Sequence, residues 1–238
     1  MYYFFAGELD ENQKFYTLKD EEAHHCLNVL RKKKNEIIKI TNGRGIIFTA
    51  KIIDIGKDFC GVEIIEYEAK SRLYKIHIAI SPTKNIDRFE WFIEKSTEVG
   101  VDVITPIICK RTERKILKLE RLEKIAIAAL KQSCRHYAPI INQLISFNNF
   151  LKDNKNSDAL KLIAHCIDTS KKNIFEVISK KNDVIILIGP EGDFTEDEIN
   201  AAIVNEFIPI TLGENRLRTE TAGVVACGLL KFLIDFNN

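Results

Sequence analysis

VIILIGPEGDFTEDE, from Val184 to Glu198, sets a continuous apolar run against a glycine-bearing loop and then a helix start. The run Val184 to Ile188 suits a parallel strand buried on both faces. Gly189-Pro190-Glu191-Gly192 breaks it, and Thr195 with Glu198 three residues on is a capping-box signature for the helix that follows. The pattern recurs downstream. Phe207 to Leu212 is apolar, LGENRLRTETA covers Leu212 to Ala222, and Glu220 falls in the first turn of a helix starting near Thr219. Both glycine loops thus lie between the C-terminal end of a strand and the N-terminus of a helix. In open α/β sheets that edge is where ligands bind.

Working outward, Ile76 to Ile80 and Leu160 to Ala164 are further short apolar strands. Asn85 to Val99 reads as an amphipathic helix closed by Gly100, and Val101 to Cys109 as a strand running into the basic loop KRTERK. Leu119 to Cys134 forms a long helix with Leu122, Ile125, Ala126, Ala129 and Leu130 on its apolar face. From Lys75 onward the chain is therefore an α/β domain, and Asp153 to Ser157 is a surface loop. The first seventy residues are organised differently. Asp20 to Arg31 places Ala23, Cys26, Leu27 and Leu30 on one buried helical face, with His24, His25, Asn28 and Arg31 outward. Glu36 to Thr41, Gly45 to Ile55 and Phe59 to Tyr67 are strands, and Asn42-Gly43 is a turn. A small β-barrel or sheet carrying one helix is expected.

Composition narrows the function classes. A net charge of +1 excludes a strongly basic nucleic-acid coat, so any RNA contact must come from local patches. The six cysteines contain no CxxC pair, which fits reduced thiols rather than a disulfide framework or a zinc site, and no metal is expected. The start MYYFFAGELDENQ has no basic leader, and the apolar run Ala222 to Leu230 ends at Lys231, so the expectation is a cytoplasmic protein outside the membrane. There is neither GxGxxG after the first strand nor GxxxxGK[ST], and Glu191 and Asp193 would repel a phosphate. Taken singly, Gly189, Gly192 and Gly213 are equally well turn residues at strand ends. Thr219 reads as an N-cap, Glu220 as dipole compensation and His165 as a structural histidine or a ligand contact. Arg31 to Lys34 reads as a solvated helix end or a phosphate contact.

These residues also carry a resemblance. IGPEGDF, LGENRLRTETA, the stretch SPTKNIDRFEWFIEKSTEVGVDVITPIICKRTERK from Ser81 to Lys115, and KQSCR from Lys131 to Arg135 resemble a family of the SPOUT superfamily. That family is the ribosomal RNA small subunit methyltransferase E family, whose members methylate uracil N3 in 16S ribosomal RNA. FFAGEL and HHCLNVLRKKKNEIIKITNGRG resemble its N-terminal domain, so the likeness spans nearly the whole chain. The resemblance implies residues 1–70 as a PUA-like RNA-binding β-barrel and 75–238 as a SPOUT methyltransferase domain with a parallel sheet and a deep trefoil knot. It implies a homodimer that uses S-adenosylmethionine on the small ribosomal subunit or its RNA, at the uridine numbered 1498 by the family. The cofactor would lie among His165, Ile188, Gly189, Pro190, Glu191, Gly192, Leu212, Gly213, Leu217, Arg218, Thr219, Thr221 and Ala222. Arg218 and Glu220 would serve catalysis, as anion stabiliser and as proton acceptor or orienting group. RNA contacts would come from Arg31, Lys32, Lys33, Lys84, Arg88, Lys110, Arg111, Arg114 and Arg135. The chain departs from the family pattern at Asp193, where many members have a second glycine. It departs again at Asn215-Arg216, in place of an arginine followed by an aliphatic residue. The alternatives are a non-catalytic, RNA-binding ribosome-assembly factor, or a relative acting on another RNA base.

Overall fold

The structure is a computed structural model that describes residues 2–178 and 182–236. Contacts divide the chain into one unit of Met1–Arg72 with Ile127–Ala138 and a second of Leu73–Ala126 with Pro139–Asn238.

The first unit is built on a five-stranded sheet. Its strands are β1 (Tyr3–Phe5), β2 (Phe15–Lys19), β3 (Ile37–Thr41), β4 (Ile46–Ile55) and β5 (Phe59–Ala69), in the order β1-β3-β4-β5-β2. Only β1 with β3 is parallel, and register shifts at Thr49/Ala50 and Ile52/Asp54 bend the long β4–β5 pair. Phe4, Leu18, Ile40, Phe48 and Ile52 fill its core.

Helix α1 (Asp20–His24) continues into a π-helical turn over His25–Val29. That turn departs from the 3.6-residue period used to place its faces. Ala23 and Cys26 are buried as the spacing predicts, but Leu30 is 38% exposed. His25, expected to face outward, instead stacks on the Tyr2 ring at 4.5 Å between centroids. Arg31 then ends the segment in the left-handed region, at φ +51°.

The second unit alternates strands and helices. β6 (Ile76–Ile80) leads to α2 (Ile86–Val99), β7 (Val103–Ile108), α3 (Leu119–Gln132), whose residues from Ile127 on belong to the first unit, β8 (Ile140–Ile141), β9 (Ile145–Ser146) and α4 (Phe147–Asp153). Next come β10 (Leu160–Ala164), β11 (Lys172–Asn173), α5 (Ile174–Val177), β12 (Val184–Ile188), α6 (Glu196–Val204), β13 (Ile208–Thr211) and α7 (Thr219–Phe236). The sheet order is β11-β13-β10-β12-β6-β7-β8, with β9 also beside β7 and every pairing parallel. All five residues of β12 are buried, as its unbroken apolar run requires. Helix α7 returns to pack on α2 and β6. Asn85 caps α2 by accepting from the Asp87 N–H, and Thr195 and Glu198 form the capping box of α6. Among the described residues no helix is long and apolar enough to cross a membrane.

One histidine in this sheet makes stability depend on pH. His77 on β6 sets Nε2 at 2.7 Å from Thr105 Oγ1, and burial brings its pKa down to about 4. The unfolded chain therefore binds the proton more readily than the fold does between pH about 6.5 and 4. The stability linked to His77 is present above that window and lost as pH falls through it. Over the full window the loss is about 3 kcal/mol. Urea midpoints are expected to drop between pH 7 and 4.5, and less so in His77→Gln; equal slopes in the two proteins would contradict this.

Candidate functional site

Three strands of the second unit end together. Ala164 is in register with Ile188 on one side and Ile210 on the other, so β13, β10 and β12 stop at one level. The segments leaving them, His165–Cys166, Gly189–Asp193 and Leu212–Arg218, surround a cavity of about 710 Å³. Arg88 from α2 and Lys171 complete its wall.

Most residues expected to hold a cofactor meet here. His165, Ile188, Gly189, Pro190, Glu191, Leu212, Gly213, Leu217, Arg218, Thr219 and Ala222 all line the cavity. Gly192, Glu220 and Thr221 do not, and Arg88, expected to meet RNA, does.

The glycine loop is hydrogen-bonded at every residue, Pro190 C=O accepting the Asp193 N–H at 2.9 Å within the loop. Gly189 C=O accepts from the Thr219 hydroxyl at 3.1 Å, which ties the loop to the start of α7. The Glu191 carboxylate accepts the Lys84 N–H at 2.9 Å, and its C=O accepts from Arg216 at 3.3 Å. Gly192 C=O accepts from Arg111 Nη1 at 2.6 Å. Asp193 accepts the Cys166 N–H at 2.7 Å, joining the loop to the end of β10. Gly189 is required by close approach, because a Cβ there would stand 3.0 Å from Phe194 Cδ2 and 3.1 Å from Phe194 N. Of the positions where departures from the family pattern are expected, Asp193 and Arg216 have a physical account. Asp193 has φ +64°, a region glycine enters freely and aspartate tolerates, and its carboxylate makes a bond glycine cannot. Arg216 binds the same loop, whereas nothing in the structure explains Asn215.

His165 is 7% exposed and neither ring nitrogen has a hydrogen-bond partner. Burial, then the Lys171 charge, lowers its pKa, so the ring is neutral at pH 7 and offers one donor and one acceptor. Lys171 itself donates to the carbonyls of His165 and Ile167. An orphaned buried imidazole in the wall of a cavity is satisfied when a polar ligand enters.

Glu220 is the second buried group left incomplete. Its side chain is 7% exposed, Oε1 lies 3.8 Å from Arg88 Nε, and Oε2 has no hydrogen-bond partner. Arg218, one turn-start away, is exposed. A carboxylate with a free buried oxygen beside Arg88, and an arginine lining the cavity, are the groups needed to accept a proton and to steady the anion left behind.

The expected RNA contacts divide. Lys32 pairs with Glu36 at 2.7 Å and Lys84 with Glu113 at 2.9 Å. Arg111 and Arg114 spend guanidinium donors on the carbonyls of Gly192, Thr83 and Lys84. Arg31, Lys33 and Lys110 are exposed, and Arg135 is half-buried. Lys171, Cys166 and Glu214 also line the cavity; Glu214 lies in the Leu212 to Ala222 loop expected to form it, whereas nothing in the sequence singles out Lys171 or Cys166. Among the described residues no group of three or more His, Cys, Asp or Glu is arranged to hold a metal ion.

Comparison with known proteins adds independent findings. The family model described as RNA methyltransferase domain matches residues 69–231, and that described as RNA methyltransferase PUA domain matches residues 18–65. A ribosomal RNA small subunit methyltransferase E from Buchnera aphidicola subsp. Acyrthosiphon pisum is 37% identical, over 98% of this chain and 94% of that protein. The crystal structure of a probable rRNA-methyltransferase from Porphyromonas gingivalis is 38% identical, covers 100% of both chains and has a TM-score of 0.92. That of a ribosomal RNA small subunit methyltransferase E from Neisseria gonorrhoeae, bound to S-adenosyl methionine, is 30% identical, covers 99% of both and has a TM-score of 0.88.

Proposed function

Because this chain belongs to the RNA methyltransferase family that includes the ribosomal RNA small subunit methyltransferase E proteins, we propose that it methylates N3 of one uridine in 16S ribosomal RNA. The methyl donor is S-adenosylmethionine. The single observation that carries the reading is the cavity at the joined ends of β10, β12 and β13, walled by two fastened glycine loops and lined by Arg218 and by Arg88, which faces Glu220.

The cavity fits such a cofactor. Ile188, Leu212 and Leu217 offer apolar walls for a flat base, and His165 offers the unsatisfied ring nitrogens. When bound, S-adenosylmethionine supplies an activated methyl group. The residues of this chain supply the rest. Uracil N3 carries an imide proton, which Glu220 Oε2 accepts; Arg218 offsets the charge that develops on the ring. Arg88 faces the other Glu220 oxygen at 3.8 Å and so orients the carboxylate. The walls hold base and cofactor in line, the larger part of the rate enhancement for a reaction of this kind.

The same proposal includes a trefoil knot, supported by the return of α7 onto α2 and β6, and a cytoplasmic homodimer. RNA is met by the exposed cations Arg31, Lys33 and Lys110, and by Lys32, Lys84 and Arg135. A base presented in an RNA loop avoids the cost of opening a duplex. Incubation with methyl-labelled S-adenosylmethionine and small subunits lacking the modification is expected to label the RNA. Tight RNA binding without label would point instead to a non-catalytic assembly factor.

A further inference from the structure

We infer that Arg111 is a positioning residue for the cofactor loop rather than a phosphate ligand, an inference that rests on the cofactor site proposed above. The sequence places it in a basic loop, KRTERK, where contact with RNA is the obvious expectation. The structure bonds that loop to the cofactor loop, although Arg111 itself stays exposed. Arg111 Nη1 donates to Gly192 C=O at 2.6 Å across 81 residues of sequence, and a Cβ on Gly192 would lie 3.2 Å from Arg111 Cδ. The arginine stem therefore runs along the loop as its guanidinium holds the carbonyl.

The base from which Arg111 projects is itself anchored. Thr112 is 4% exposed, its Oγ1 accepts the Cys109 N–H at 2.8 Å and lies 2.7 Å from Ser81 Oγ. Arg114 donates to Thr83 C=O and Lys84 C=O, and the next N–H along, that of Lys84, is held by Glu191. The Lys110 N–H donates at 2.7 Å to Glu198, the capping-box carboxylate of α6. The segment from Cys109 to Arg114 thus grips the cofactor loop directly at Gly192, reaches Glu191 through Lys84, and grips the helix that follows the loop. Arg111 supplies the charge-assisted bond made directly to the Gly192 carbonyl.

Arg111→Met keeps the stem and removes the donor. Titration calorimetry is expected to give a S-adenosylmethionine Kd raised about tenfold, the loss typical of a hydrogen bond to a charged group. Arg111→Lys, which keeps one donor, is expected to recover most of that affinity. Arg111→Gln takes the place of the Met variant should the latter not fold. RNA binding by the Met variant is expected to keep the wild-type salt dependence. A phosphate ligand would behave in the opposite way, with cofactor Kd unchanged and the salt slope reduced by about one. That result would overturn the inference, as would equal cofactor losses in the Met and Lys variants. Wild-type protein that fails to bind S-adenosylmethionine would instead overturn the site itself.

Discussion

Glu220→Gln is expected to lower kcat by about 100- to 10,000-fold while leaving the S-adenosylmethionine Kd within about twofold of wild type. The substitution keeps shape and hydrogen-bonding capacity and removes only the ability to take a proton. Its setting makes that ability matter. The carboxylate is buried, one oxygen faces Arg88 at 3.8 Å and the other is unpartnered, so a proton arriving at Oε2 displaces no existing bond. A purely structural Glu220, present only to complement the N-terminal dipole of α7, would account for about 0.3–1 kcal/mol of stability and no specific loss of kcat. Single-turnover methyl transfer at saturating cofactor separates these outcomes. An unchanged rate would remove Glu220 from the chemistry.

Gly189→Leu is expected to abolish measurable cofactor binding, a loss of more than about 100-fold, with the chain still folded. The first side-chain atom already meets Phe194, which is fully buried against Phe147 and unable to yield. The loop must move instead, and its carbonyl bond to Thr219 and the cavity wall move with it. Gly189→Ala, with one carbon to accommodate, is expected to show an intermediate loss at a melting temperature close to wild type. Calorimetry on both variants, with circular dichroism as a check on folding, makes the comparison. Full affinity in the Leu variant would mean that the cofactor lies elsewhere.

How much of this was legible in the chain depends on the range of the interaction. Val184 to Ile188 and Leu160 to Ala164 were placed to the residue because an unbroken apolar run between turn formers has one reading in a parallel sheet. The α6 capping box and the start of α7 at Thr219 were equally local signals. β8, β9 and β11 are two residues each, too short for any period, and β1 and β2 lie in the aromatic-rich start where no alternation stands out. The π turn at His25–Val29 misplaced Leu30 and His25, since a 3.6-residue template cannot anticipate a wider turn. At the site, the two glycine loops were legible as strand-end loops. What fastens them was not, because Arg111 to Gly192, Lys84 to Glu191 and Cys166 to Asp193 are bonds between residues remote in sequence. Asp193 illustrates the gap. The sequence marks it as a missing glycine and a charge hostile to phosphate, whereas the structure makes it a left-handed residue whose carboxylate joins two walls of the cavity.

The chemistry assigned to the cavity is tested most directly by the identity of its product. Small subunits lacking the modification, methylated by this protein with labelled S-adenosylmethionine, are digested to nucleosides and the label is chromatographed. The account predicts label in N3-methyluridine, with none transferred by Glu220→Gln at equal cofactor occupancy on the timescale of the wild-type reaction. Label in any other nucleoside, or equal label from the variant, would contradict it.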